Sequence, residues 1–134
     1  VQCSPVSVEL TYGLERICMF FQEKSNVFDI LWNKDGTLYK DIYKENEKQF
    51  SKYNFELANI DYLFNTFESL EKEAKNLLLN KLPLPAYDHS LKASHVFNIL
   101  DSRGAISTAQ RAGYISRIRD LVKEVGLKWL EEKK

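Results

Sequence analysis

The sequence predicts an α+β fold in which a small β-rich part, residues 1–50, precedes an α-helical bundle, residues 51–134. Apolar and polar residues alternate over residues 5–12, which predicts a strand. An Asp-Gly pair at positions 35 and 36 separates two short apolar runs, which indicates a hairpin. From Tyr53 onward, apolar residues recur at spacings of three and four, which is typical of amphipathic helices.

The first predicted strand has one polar and one apolar face. Ser7, Glu9 and Thr11 share the polar face, and Gly13 ends the strand. A helix is then predicted over residues 14–22. Two further strands, residues 27–32 and 37–39, complete only a small sheet, so the sheet is expected to be a remnant of a larger one.

The second part of the chain is predicted to hold three helices. The first runs from Tyr53 to about Asn80, and Pro83 and Pro85 are expected to end it and to form a stiff connector. The second covers about residues 87–101 and closes at Arg103 and Gly104.

The last predicted helix begins at a capping box, in which Ser107 is followed three residues later by Gln110. Its apolar stripe is expected to be buried. The members of that stripe are Ile115, Ile118, Leu121, Val122, Val125 and Trp129.

The charge balance is uneven along the chain. The total is zero, with 19 Lys and Arg against 19 Asp and Glu, so a general affinity for nucleic acid or anionic membranes is not indicated. From His89 onward, however, nine cations face five anions, and the resulting charge of +4 suggests an anionic partner. Many of these cations lie beside acids at helical spacing, which equally fits an ordinary solvated surface.

Several classes of protein are not favoured. No run of about eighteen apolar residues is present, so no membrane span is expected. Cys3 and Cys18 form no CxxC pair, and His89 and His95 are six positions apart, so no metal site is predicted. With these two cysteines as its only thiols, the protein is predicted to be reduced and intracellular. No signal peptide is recognised, and the first residue, Val1, suggests a piece of a longer chain.

The segment from Ser7 to Arg16 holds the residues best suited to bind a ligand. A carboxylate at Glu9 between the hydroxyls of Ser7 and Thr11 suits a small ligand that carries an ammonium group. Arg16, in the first turn of the next helix, presents a planar donor group that matches phosphate oxygens. On pattern alone, a solvent-facing strand followed by a surface arginine explains the same residues.

Three blocks of sequence resemble one enzyme family. Residues 3–16, CSPVSVELTYGLER, are similar to the third signature motif of class II aminoacyl-tRNA synthetases. More narrowly, they resemble the alpha subunit of bacterial glycyl-tRNA synthetases of the alpha-2 beta-2 type. The other two blocks are residues 53–59, YNFELAN, and residues 82–107, which begin LPLPAYD and end in LDSRGAIS. The resemblance covers essentially the whole chain.

The resemblance implies that this chain corresponds to the second half of such a subunit. Residues 1–50 would be the C-terminal part of the class II catalytic domain, a remnant of its antiparallel sheet, and residues 51–134 a helical domain. The first two signature motifs would lie upstream of Val1. The 134 residues alone are therefore expected to be inactive.

The resemblance also implies roles for the residues around Arg16. Arg16 would contact the γ-phosphate of ATP, with Mg²⁺ as the partner ion, and Gly13 would let the backbone pass close to the nucleotide. Glu9, with Ser7 beside it, would bind the ammonium group of glycine. Thr11 would fill the space that the methyl group of alanine needs, and so select glycine.

The implied activity is ATP-dependent formation of glycyl-adenylate and transfer of glycine to tRNA(Gly) in the cytoplasm. The implied protein partners are the beta subunit and a second alpha subunit, and no membrane is involved. Contacts with tRNA would come from the basic C-terminal part, where the candidates are Lys92, Arg103, Arg111 and Arg117. The alternative is a non-catalytic helical module that binds RNA or protein.

Overall fold

The computed structural model describes residues 3–133, and the regular secondary structure in this range is helical. The elements are helices α1 (Leu14–Phe21), α2 (Tyr39–Lys52), α3 (Ile60–Leu79), α4 (Pro83–Ser102) and α5 (Thr108–Glu132), with a 3-10 turn at Val27–Asp29 and a π-helical turn at Tyr53–Leu57. The chain divides into two units, Val1–Lys52 and Tyr53–Lys134. None of the helices in the described range is long and apolar enough to cross a membrane.

The predicted α+β fold with a remnant sheet is wrong, because residues 3–133 contain no strand. Residues 5–12 alternate as a strand would, yet no neighbouring segment in this range pairs with their backbone groups. Val6 and Val8, on the apolar face, are 82% and 86% exposed. Alternation describes a surface that could pack in a sheet, but it does not supply the partner strand that a sheet needs.

The predicted hairpin is also wrong as a pair of strands, although its turn is present. The Trp32 amide donates to the Thr37 carbonyl oxygen at 2.8 Å, and Gly36 adopts a φ of 90°, which favours glycine. Only one isolated antiparallel bridge, Leu31 to Leu38, accompanies this turn. The 3-10 turn precedes it, and helix α2 begins directly after it at Tyr39.

The helix predicted over residues 14–22 is confirmed as α1, and α2 is an addition to the prediction. Gly13 caps α1 with an extended backbone and no side-chain hydrogen bond. Helix α2 is rich in Lys, with four among its 14 residues, and its side chains are exposed or half-buried. Apolar residues are few in this highly charged segment, so the sequence offered no long apolar stripe from which to predict the helix.

The second unit consists of α3, α4 and α5 around one main apolar core. Phe67 and Leu100 are fully buried there, and Leu121 of α5 is 1% exposed. Helix α3 begins later than predicted, at Ile60, because the Asn59 side chain accepts a hydrogen bond from the Tyr62 amide at 2.8 Å and so caps the helix. Of the predicted stripe on α5, only Leu121 and Val125 are buried.

The expectation that Pro83 and Pro85 form a connector is wrong, because α4 begins at Pro83. The first four amides of a helix have no carbonyl partner within it, so a proline in the first turn removes a hydrogen bond that would not form. The predicted end of α4 is confirmed, with Arg103 at the cap and Gly104 at a φ of 64°. The capping box of Ser107 and Gln110 is also confirmed.

Candidate functional site

Ser7, Glu9 and Thr11 lie on an exposed segment without regular secondary structure. The Thr11 hydroxyl donates a hydrogen bond to the Glu9 carboxylate, so the structure brings two of the three together. Glu9 and Thr11 are two positions apart. This spacing predicted that they share a strand face, and it also allows the local hydrogen bond. The Glu9 carboxylate and the Thr11 hydroxyl together present a negatively charged group beside a directional donor and acceptor.

Gly13 and Arg16 lie at the start of α1. Gly13 has φ −72° and ψ 126°, a conformation that any residue adopts. A Cβ built at Gly13 would meet only the Glu15 Oε2 atom, at an ordinary contact distance of 3.9 Å. Nothing within the described part of the chain therefore requires glycine at this position, and space beside the backbone is open.

Arg16 is exposed in the first turn of α1, and no carboxylate among residues 3–133 forms an ion pair with it. Gly13 provides no side-chain cap for the first amides of this helix. An unpaired guanidinium beside uncapped helix amides is an arrangement that can bind an anion.

Glu15, the neighbour of Arg16, contributes to a different feature, an aromatic pocket. The pocket has a volume of about 440 Å³ and lies between α1, the turn and α2. It is lined by Leu14, Glu15, Cys18, Ile30, Leu31, Trp32, Tyr39 and Tyr43. This aromatic pocket was not predicted from the sequence, although the spacing of four between Tyr39 and Tyr43 places both rings on one face of a helix.

Three rings of the aromatic pocket contact one another. The Tyr39 and Tyr43 centroids are 4.6 Å apart, and the Trp32 centroid lies 5.6 Å from Tyr43 and 6.2 Å from Tyr39. The pKa of the Tyr39 hydroxyl is raised above its ordinary value, first by burial, then by the negative charge of Glu15, by the neighbouring Tyr43 phenol and by the negative charge of Glu47. The surroundings of Tyr39 therefore carry negative potential.

Lys92 and Arg111, two of the predicted tRNA contacts, form exposed ion pairs on the second unit. The Lys92 Nζ atom lies 2.7 Å from the Asp88 carboxylate one turn earlier in α4, and it lowers the pKa of Asp88. The Arg111 Nε atom donates to Asp101 at 3.0 Å and so joins α5 to α4. Exposed pairs of this kind are weak and can exchange partners.

Arg103 and Arg117, the other two predicted tRNA contacts, connect distant parts of the second unit. The Arg103 Nη1 atom donates to the Ala58 carbonyl oxygen at 2.8 Å. Arg117 on α5 donates to both Glu71 oxygens, at 3.1 and 2.5 Å, and to Glu68 at 2.8 Å, all on α3. Both arginines have intramolecular roles that the sequence pattern could not reveal, because their partners are 45 to 49 positions away.

The residues that the structure describes do not form a metal site. No group of three or more His, Cys, Asp or Glu side chains among them could hold a metal ion. His89 instead has its Nδ1 atom 2.9 Å from the Pro85 carbonyl oxygen. The described residues therefore offer no protein-only site for the Mg²⁺ that the resemblance implies.

The family model described as glycyl-tRNA synthetase alpha subunit matches residues 1–134. The match covers the exposed segment with Glu9 and Thr11, the start of α1 with Arg16, and all of the second unit. The family indicated by the three sequence blocks is thereby confirmed.

Proposed function

Since the chain belongs to the glycyl-tRNA synthetase alpha subunit family, we propose that it contributes the ATP- and glycine-binding residues of a glycine–tRNA ligase. The family is one of aminoacyl-tRNA synthetases, enzymes that join an amino acid to tRNA. In the proposed reaction, ATP converts glycine to glycyl-adenylate, and glycine then passes to tRNA(Gly) in the cytoplasm. The chain would act together with the beta subunit and a second alpha subunit.

The observation that carries the proposal is the free guanidinium of Arg16. Arg16 and Arg119 are both exposed and have no carboxylate partner among residues 3–133, but of these two only Arg16 lies at the start of a helix, and that helix has no side-chain cap. A phosphate group of ATP would supply the missing anion. There the arginine would offset the negative charge that develops on the pyrophosphate leaving group when the glycine carboxylate attacks the α-phosphorus.

Gly13 supports the same placement of the nucleotide. Its backbone conformation and its surroundings within the described chain would accept a larger residue. A ligand that approaches the backbone closely would leave no room for a Cβ, and this is a physical reason for glycine at position 13. Gly13 and Arg16 are three positions apart at the same end of α1, so one nucleotide could use both.

Glu9 and Thr11 form the proposed glycine site, with Ser7 beside them. The Glu9 carboxylate would hold the ammonium group, and its hydrogen bond from Thr11 would restrict the carboxylate to one orientation. The Thr11 side chain would also occupy the volume that a substrate methyl group requires. Exclusion by size is the available means of selecting glycine, because glycine has no side chain to recognise.

Lys92 and Arg111 are the better placed of the four proposed tRNA contacts. Their ion pairs are exposed, so a phosphate can replace Asp88 or Asp101 as the partner at small cost. Arg103 and Arg117 hold segments of the second unit together. A tRNA contact from either would have to leave those hydrogen bonds in place or break them.

The test is replacement of Arg16 by alanine in the assembled synthetase, with the complete alpha chain and the beta subunit. Glycine-dependent exchange between ATP and pyrophosphate is the measurement, because it reports the activation step without tRNA. We expect Arg16→Ala to slow the exchange by about 100-fold or more, the effect typical of losing one charge-stabilising donor. Arg16→Lys should restore only part of the rate, since a lysine lacks the planar donor group.

The matched control is Arg119→Ala, which removes an exposed arginine from α5 in the second unit. Exchange by this variant should equal that of the unaltered enzyme. If Arg16→Ala exchanges at the same rate as Arg119→Ala, Arg16 does not act on ATP and the proposal is wrong.

A further inference from the structure

The aromatic pocket has no part in the proposed chemistry of ATP, glycine or tRNA. Its lining combines two chemical properties, an apolar wall from Leu14, Ile30 and Leu31 and an aromatic wall from Trp32, Tyr39 and Tyr43. Trp32 is 52% exposed, so its ring faces solvent as well as the other two rings. A volume of about 440 Å³ is sufficient for one long side chain.

The charges at the aromatic pocket are negative. Glu15 is the only charged residue in the lining. Glu47 lies one helical turn beyond Tyr43 on α2, and both carboxylates act on the Tyr39 hydroxyl. Aromatic faces add to this potential, because the face of each ring is the negative end of its quadrupole.

A cation already lies beside the same aromatic group. The Lys44 Nζ atom is 5.9 Å from the centroid of Phe28, whose ring is 6.3 Å from that of Tyr39. Neither Lys44 nor Phe28 lines the pocket itself. The contact places an ammonium group near one ring of this cluster, while the pocket formed by the other rings has no cation in its lining.

We propose that the aromatic pocket binds the side chain of an arginine that belongs to a protein partner. The guanidinium would lie against the rings of Trp32 and Tyr43 and would donate hydrogen bonds to the Glu15 carboxylate. The methylene groups of the arginine would contact Leu14 and Leu31. A phosphate-bearing ligand is disfavoured by the carboxylates, and a lysine would lack the planar group that stacks on a ring.

The test uses a short acetylated peptide, Gly-Arg-Gly amide, as the probe and the complete alpha chain as the protein. The tryptophan emission that disappears in Trp32→Phe reports binding at the pocket. We expect this emission to change saturably as the arginine peptide is added. The same peptide with citrulline in place of arginine should have an affinity lower by about fivefold or more. Citrulline has nearly the shape of arginine but no charge, so the ratio of the two affinities measures the contribution of the positive charge.

Variants of the lining locate the effect. Glu15→Gln should weaken binding of the arginine peptide about fivefold. Tyr43→Leu should weaken it similarly, whereas Tyr43→Phe, which keeps the ring, should not. The matched control is Glu45→Gln on α2, because Glu45 accepts a hydrogen bond from Gln49 and does not line the pocket. Helical circular dichroism checks that each variant is folded.

Three results would overturn the proposal. These are the absence of a saturable change, equal affinity for the arginine and citrulline peptides, and equal losses in Glu15→Gln and Glu45→Gln. An emission change with adenosine monophosphate but not with the arginine peptide would assign the pocket to a nucleobase instead. Arg16→Ala and nucleotide exchange do not enter this test, so it can fail while the proposed function stands.

Discussion

Arg117 has contacts in the structure that its position in the sequence does not indicate. In the sequence it is one of several cations in a basic stretch, and it was predicted to meet tRNA. In the structure its guanidinium lies 4.7 Å from the centroid of Phe67 and 5.1 Å from that of Tyr114 while it binds Glu71 and Glu68. Its side chain is 32% exposed and that of Glu71 only 10%. The residue therefore stabilises the packing of α5 on α3.

The Glu71 carboxylate makes this contact dependent on pH. Its pKa lies below the ordinary value of 4.5, mainly because Arg117 donates hydrogen bonds to the ionised form and despite the opposing effect of burial. A pKa that is lower in the folded state stabilises the fold above about pH 4.5, and this stabilisation is lost as the pH falls through the folded-state value.

We expect Glu71→Gln to lower the free energy of unfolding at pH 7 by about 1.5–3 kcal/mol, the range for a hydrogen bond to a charged group. The difference from the unaltered protein should shrink as the pH is lowered below about 4.5, where the carboxyl gains a proton first in the unfolded state and, at lower pH, in the folded state. Urea denaturation at a series of pH values measures it. Glu73→Gln, at an exposed position of the same helix, is the control and should change little at any pH.

At the scale of the element, the ends of helices in the second unit follow from local chemistry. The Gln110 amide donates to the Ser107 hydroxyl at 3.2 Å, and the Ser107 amide donates to the Gln110 side chain at 3.1 Å. Asn59 caps α3, and Gly104 provides the left-handed residue after α4. Each signal acts within a few positions, and none depends on the rest of the fold.

Ser107→Ala should lower the free energy of unfolding by about 1 kcal/mol, because it leaves an amide in the first turn of α5 without an acceptor. Thermal and urea unfolding both measure the change. Ser116→Ala serves as the control, since Ser116 is exposed in the interior of α5, where alanine is at least as favourable as serine. A loss in Ser116→Ala as large as that in Ser107→Ala would contradict the role of the cap.

At the scale of the whole molecule, the second unit contains all the members of its own main core. The fully buried residues of this core, Phe67, Ala93 and Leu100, come from α3 and α4 and pack with Ile106 and Tyr114, which follow α4 in the chain. The structure assigns no buried residue to either of the helices of the first unit, α1 and α2. We therefore propose that residues 53–134 are a domain and that residues 1–52 belong to the catalytic part of the synthetase.

A chain of residues 53–134 alone should be helical and should unfold in one cooperative transition, because its core needs no residue from the first unit. Circular dichroism during heating is the measurement. Leu100→Ala should lower the stability of this chain by about 2–5 kcal/mol, as expected for a cavity in a packed core. A broad, uncooperative transition in the unaltered chain would show that residues 53–134 are not a domain.

The sequence by itself determined the features that depend on neighbours a few positions away. These are α1 after Gly13, the end of α4 at Gly104, the capping box at Ser107, and the run of motif residues that identified the family. Backbone geometry and side-chain capping act at this range, so short patterns are sufficient to predict them.

Only the tertiary structure decided which distant groups meet. Alternation over residues 5–12 predicted a strand, yet a strand forms only beside another backbone, and none pairs with it in the described range. Arg117 and Glu71 are 46 positions apart, and Glu15 meets Tyr39 across the turn between α1 and α2. Such contacts depend on how the whole chain packs, because their energy is gained only after the chain between the partners is ordered.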